Sequence, residues 1–275
     1  MNAFKWMLAA AAATMLLASC GQKKQAPKML IIYYSQTEHT RTVAQEIQKL
    51  TGADIEEIVP VQPYDGTYQE TIARSGQERE AGTLPELQPV QADLSKYDII
   101  FVGYPIWFGT YALPMASWVN QADLSGKKVV PFCTFGSGGL TTSSADLAAK
   151  QPNATVLPGY GVRAARIDAV PAEVDNFLKV NGFIEGEGFK PADFPEQHPV
   201  SEEEAALFDK AVGDYPMIQA NATTVACREV AGGVEYLFTA ENKPREGMPA
   251  LGPSEMKVYV LVEEGKDPVF TQVVR

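Results

Sequence analysis

The sequence predicts two folded units in series. The first is a doubly wound α/β domain around a five-stranded parallel sheet. The second is a small α+β domain with one helix and an antiparallel sheet. Three observations predict this. Apolar, β-prone runs alternate with helical periodicity from residue 28 to residue 182, which implies βαβ units. Residues 97–103 (YDIIFVG) form an almost unbroken apolar run, as in a strand covered on both faces. Beyond residue 183 the pattern changes to one helix followed by strands alone.

Residues 29–34 (MLIIYY) give the first strand. A polar loop follows, then a helix with Val43, Ile47 and Leu50 on one face. Further strands are expected over residues 55–59, 97–103 and 128–134, with a weaker fifth over 155–158. Helices are expected over residues 112–121, 141–150 and 171–180. The last carries Val174, Phe177 and Leu178 on its apolar face. Residues 61–90 are mixed, with Pro63, Pro85 and Pro89 around a helix at 68–80; Tyr64 and Tyr68 there could reach a substrate above the strand ends. Gly182, Gly186, Gly188, Pro191, Pro195 and Pro199 mark residues 183–200 as a linker. Ser201 and Glu204 have the spacing of a capping box, and Phe208, Ala211 and Val212 give the helix after it an apolar face. Strands over residues 223–230, 234–240, 255–262 and 268–274 complete the second domain. The expected divisions are therefore 28–182, 183–200 and 201–275.

The N-terminus stands apart. Lys5 is the only charge before an apolar run over residues 6–18. The run is short for a bilayer span and has the layout of a secretory signal. It ends in Leu17-Ala18-Ser19-Cys20-Gly21, which resembles the lipobox of bacterial lipoproteins. The resemblance implies a leader over residues 1–19, a lipidated Cys20 and a polar tether over 20–27. It places the protein in the bacterial cell envelope, on the periplasmic or outer-membrane side, attached to the membrane through its lipid only. The alternative is an uncleaved anchor helix with an incidental cysteine.

Composition excludes several classes. The chain has 275 residues with 45% apolar and 21% charged residues, a globular balance. Its net charge is -11, which argues against nucleic acid as a partner. With His39 and His198 the only histidines, a multi-histidine metal site is excluded and a Ser/His/Asp triad is poorly supported. No metal ligands and no catalytic acid or base stand out. Cys133 reads as a small buried hydrophobe; a disulfide from Cys133 to Cys227 would have to bridge the two domains.

Three loops carry the chemistry of the first domain, each placed after a strand. In open parallel sheets ligands bind at that end. The first loop contains Ser35, Gln36, Thr37, His39 and Thr40 at a helix N-terminus. Backbone amides and the helix dipole there favour a phosphate without a lysine; an ordinary Ser/Thr N-cap is the plainer reading. The second loop contains Pro105, Ile106, Trp107 and Phe108. Crowded aromatics at a strand end suit a flat apolar ring, or else cover the edge of the core. The third contains Thr134, Phe135, Gly136, Ser137 and Gly138. Its glycines would let the backbone approach a ligand, or make a flexible turn.

Together these loops resemble the flavodoxin-like family. Ser35, Thr37 and Thr40 match its phosphate loop, and Glu38 stands where the family usually has glycine. The resemblance covers residues 28–182. It implies FMN held without a covalent bond, Trp107 stacked on the ring, and residues Phe135 to Gly138 along its edge. It also implies electron transfer, or reduction of a small acceptor such as a quinone, with a redox protein or small molecule as partner.

In the second domain Val230, Ala231 and Gly232 resemble the first hairpin loop of the cystatin family. This implies a cystatin-like fold and a contact with a peptide or cysteine protease. The alternative function is thus a binding module that holds no cofactor. A structural Gly-Gly hairpin turn is the plainer reading of the same residues.

Overall fold

The computed structural model describes residues 26–213, 215–216, 218–243 and 255–275. The expected leader, Cys20 and most of the tether lie outside these residues.

The first sheet runs β2 (Asp54–Glu57), β1 (Met29–Tyr33), β3 (Ile99–Trp107), β5 (Lys128–Phe135), all parallel. A fifth position beside β5 is shared by β6 (Thr155–Val156) and β7 (Tyr160–Arg163). This is the five-stranded parallel sheet expected from sequence, with its strand order reversing between β1 and β3. Ligands bind outside the carboxyl ends of such sheets at that reversal.

The fifth strand differs from the expected run over 155–158. It breaks after β6 and resumes two residues beyond Pro158. The cause lies in β5. The Leu157 amide donates to the Val129 carbonyl at 2.8 Å. Alternation along a strand turns Pro131 to the same side, and proline has no N–H to offer. Pairing restarts at Phe132 with Tyr160.

Two helices cover each face. On one face α1 (His39–Thr51) and α5 (Val170–Val180) bury Val43, Ile47, Val174 and Leu178 against Ile31, Phe101 and Phe132. On the other, α3 (Leu113–Gln121) and α4 (Leu140–Lys150) bury Met115, Trp118 and Leu147 against Leu30, Ile32, Val102 and Tyr104. Burial on both faces is why the sequence shows continuous apolar runs rather than alternation. The mixed segment forms α2 (Tyr68–Glu80), opened by a capping box of Thr67 and Glu70. The chain then returns to pair Gln88 with Val59.

The second sheet is an antiparallel meander, β9 (Ala220–Val230), β10 (Gly233–Asn242), β11 (Glu255–Glu263) and β12 (Val269–Val274). A two-residue strand β8 (His198–Pro199), at the end of the expected linker, adds beside β9. Helix α6 (Glu202–Val212) packs Phe208 and Val212 on Val225, Phe238, Val258 and Phe270. Its Ser201–Glu204 capping box is present as the sequence predicts. The segment 183–197 is irregular but fastened. Phe183 and Ile184 pack on the first domain, while Arg228 donates to the Ala192 carbonyl and stacks on Phe194. Cys133 is buried, Cys227 exposed, and neither is in a disulfide. No helix among the described residues is long and apolar enough to cross a membrane.

Candidate functional site

The first loop leaves β1 at Tyr33 and enters α1 at His39. The residue before the helix, Glu38, has φ 65°. That left-handed value explains why glycine suits this position and what Glu38 must tolerate. Its carboxylate is not turned into the loop. It pairs with Arg41, three residues into the helix, and its side chain is 69% exposed. Arg41 in turn grips Glu57 of β2 at 2.7 and 2.8 Å, and the Tyr33 hydroxyl donates to the same carboxylate at 3.2 Å. The Glu57 hydrogen bonds push the Arg41 pKa up, so the guanidinium stays charged. A carboxylate that would repel an anion is thereby held aside.

The loop hydroxyls are largely engaged with the loop itself. Ser35 Oγ accepts from the Arg41 amide at 3.2 Å, and Thr37 Oγ1 meets His39 Nδ1 at 3.0 Å. Thr40 is buried and its hydroxyl meets that of Thr134 at 2.8 Å. What the loop offers an anion is chiefly the amide end of α1 and its dipole.

The second loop is a hairpin rather than an open turn. β3 continues to Trp107, reverses through Phe108 and Gly109, and returns as β4 (Thr110–Tyr111). Both central residues have positive φ, 50° and 86°, as a type I′ turn requires. Phe108 is 44% exposed at the tip. Trp107 meets Tyr34 edge-on at 5.9 Å and Tyr64 at 5.0 Å between ring centres. Tyr64 is buried against Trp107, whereas Tyr68 is exposed. Arg74 of α2 lies 3.8 Å from the Tyr64 ring centre and bonds Glu78, to which the Tyr64 hydroxyl also donates. Burial and Glu78 together hold the Tyr64 pKa well above the ordinary phenol value.

The third loop closes the group. Thr134 and Phe135 end β5 and are buried; Gly136 is exposed. The glycines meet protein here. A β-carbon on Gly139 would lie 2.7 Å from Ile106, and one on Gly138 would lie 2.1 Å from the Val273 carbonyl oxygen. On the side where a β-carbon would stand, Gly138 thus faces the second domain and Gly139 the neighbouring hairpin.

The three loops therefore converge. Thr40 joins the first to the third, Ile106 joins the second to the third, and Trp107 with Tyr34 joins the second to the first. The sequence reading missed Arg41, Glu57 and Arg163. Arg41 was findable as the i+3 partner of Glu38; the other two become neighbours only in the fold. In the second domain, Val230 ends β9 and the exposed Ala231 and Gly232 form a two-residue turn, with Gly232 at φ 87°. Among the described residues no cluster of three metal-ligating side chains occurs.

A family model described as flavodoxin matches residues 28–176. Among solved structures, a protein from Bacteroides eggerthii is 28% identical. It covers 54% of this chain and 96% of its own, with a TM-score of 0.47. A protein from Bacteroides uniformis is 24% identical over 55% of this chain and 99% of its own, with a TM-score of 0.49. A flavoprotein from Lactobacillus acidophilus in complex with FMN is 24% identical over 56% of this chain and 100% of its own, with a TM-score of 0.47.

Proposed function

The chain belongs to the flavodoxin family, and from that premise we propose that it is an exported, lipid-anchored flavoprotein that binds FMN. It transfers electrons, or reduces a small acceptor such as a quinone. Bound FMN supplies reversible electron uptake; the protein holds, orients and shields it.

The observation that carries this reading is the convergence of three loops at the carboxyl ends of β1, β3 and β5, with the Glu38 carboxylate drawn aside by Arg41. Ser35, Gln36, Thr37, His39 and Thr40 would hold the phosphate, mainly through amides. Pro105, Ile106, Trp107 and Phe108 would line the ring, with Trp107 as the stacking surface. Residues from Thr134 to Gly138 would line its other edge. Lipid attachment at Cys20 is supported by the residues around it, Leu17-Ala18-Ser19-Cys20-Gly21.

Titration of the purified protein with FMN, followed by flavin fluorescence, tests this. Quenching that is weakened in Trp107→Ala and Thr37→Ala supports it. No binding at tens of micromolar, about -6 kcal/mol, sinks the redox reading. Cys20→Ala should leave the membrane fraction if the anchor is lipid.

A second reading gives the second domain a protease or peptide as partner through Val230, Ala231 and Gly232. The exposed tip and the helix-then-meander order favour it. The adjacent Arg228 is committed to Glu235 at 2.7 Å and to the segment before β8. Papain inhibition by the purified chain decides this reading.

A further inference from the structure

β12 is an edge strand, and its free edge does not face solvent along its whole length. The Val273 amide donates to the Ser137 carbonyl at 2.6 Å. Gly138 lies so close to the Val273 carbonyl that no side chain fits between them. Beside this contact stands Arg163, the last residue of β7. Its Nε donates to the Gly136 carbonyl at 2.9 Å and its Nη1 to the Phe270 carbonyl at 2.9 Å. The guanidinium also lies 3.4 Å from the centre of the Phe270 ring. Ser137 and Gly138 of the third loop thus meet β12 directly, and Gly136 is tied to it through Arg163, a first-domain residue that also bonds Phe270.

We propose that Arg163 is a positioning residue for the cofactor and that β12 forms the outer anchor of the cofactor loop. The second domain is then part of the ligand site rather than an appendage to it. This rests on the FMN reading. The physical reason is conformational entropy. A loop of Gly136, Ser137, Gly138 and Gly139 has wide backbone freedom, and a ligand that must order it binds more weakly. Docking against β12 orders it in advance. Linkage makes the effect reciprocal: what holds the loop for FMN is held more firmly when FMN is bound. Arginine suits the task because its planar fork serves two carbonyls at once, which a lysine ammonium does less well.

Amide hydrogen exchange and FMN titration on the purified protein and its Arg163→Ala variant test the proposal. FMN should slow exchange over Val269–Val274 in the wild type, and this protection should be lost in the variant. The variant should bind FMN about tenfold more weakly, with Arg163→Lys falling between. Without FMN, residues 136–139 of the variant should exchange faster. A wild type that binds FMN with no change in β12 exchange overturns the proposal. So does an Arg163→Ala protein that binds FMN as tightly as the wild type. If Arg163→Ala does not fold, the wild-type β12 exchange decides alone. If the wild type binds no FMN, the function reading falls and the loop exchange decides the anchor: unchanged exchange over 136–139 in the variant overturns that as well.

Discussion

The Glu38 carboxylate is paired with Arg41, one turn into the helix that Glu38 precedes. This relationship reconciles an acidic residue with the phosphate site proposed for the same loop. Arg41→Ala releases Glu38 and leaves Glu57 with only the Tyr33 hydroxyl as partner. FMN affinity should fall by about 1 kcal/mol, near fivefold, because a freed carboxylate returns to the field of the phosphate. Adding Glu38→Gln to that variant should restore most of the loss. A double-mutant cycle by fluorescence titration measures this, and additive losses would refute the arrangement.

Thr40 and Thr134 exchange a hydrogen bond in a buried setting, across two loops. Thr40→Val keeps the shape and strands the Thr134 hydroxyl. Urea denaturation should show a loss of about 1–3 kcal/mol. The double variant, Thr40→Val with Thr134→Val, should lose less than the two single variants together, since no buried hydroxyl is left without a partner.

Phe108 occupies a left-handed position that bulky residues avoid. Phe108→Asn converts the hairpin tip to Asn-Gly, the favoured pair for such a turn. Stability should rise by up to about 1 kcal/mol, read as a higher denaturant midpoint. FMN affinity should fall at the same time, because strain retained at a site usually serves it. A gain in stability with unchanged affinity would remove Phe108 from the ring contacts.

Two capping carboxylates set an acid response. Hydrogen bonds from the Thr67 amide hold the Glu70 pKa below the ordinary carboxylate value, and those from Ser201 do the same for Glu204. Folded pKa values below the unfolded ones mean that this stability is present above the ordinary carboxylate range. It is lost as pH falls through the depressed folded values. Melting temperatures from neutral to acid pH should therefore decline less steeply in Glu70→Gln and Glu204→Gln variants, in which the Thr67 and Ser201 amides no longer meet an ionisable group.

The sequence by itself determined the order of the principal helices and strands and which loops follow the central strands. The residue 97–103 run is apolar because a central parallel strand is buried on both faces, and that signature is local. Loops that follow strands are likewise visible one at a time, so the sequence alone puts Ser35, Trp107 and Gly136 at one end of a sheet. The capping box at Ser201 needs only four residues and was legible for the same reason. Tertiary structure decided what those residues touch. Pro131 breaks the strand beside it because the missing N–H faces that neighbour, a matter of pairing and not of propensity. Gly138 reads as a flexible loop position in the sequence, and only the fold shows Val273 standing where its β-carbon would be. Arg163 and Phe270 lie 107 positions apart, and no periodicity connects them. Local patterns encode secondary structure because helix and strand repeat over a few residues. Contacts between loops and domains have no such period, so they exist for the reader only once the chain has folded.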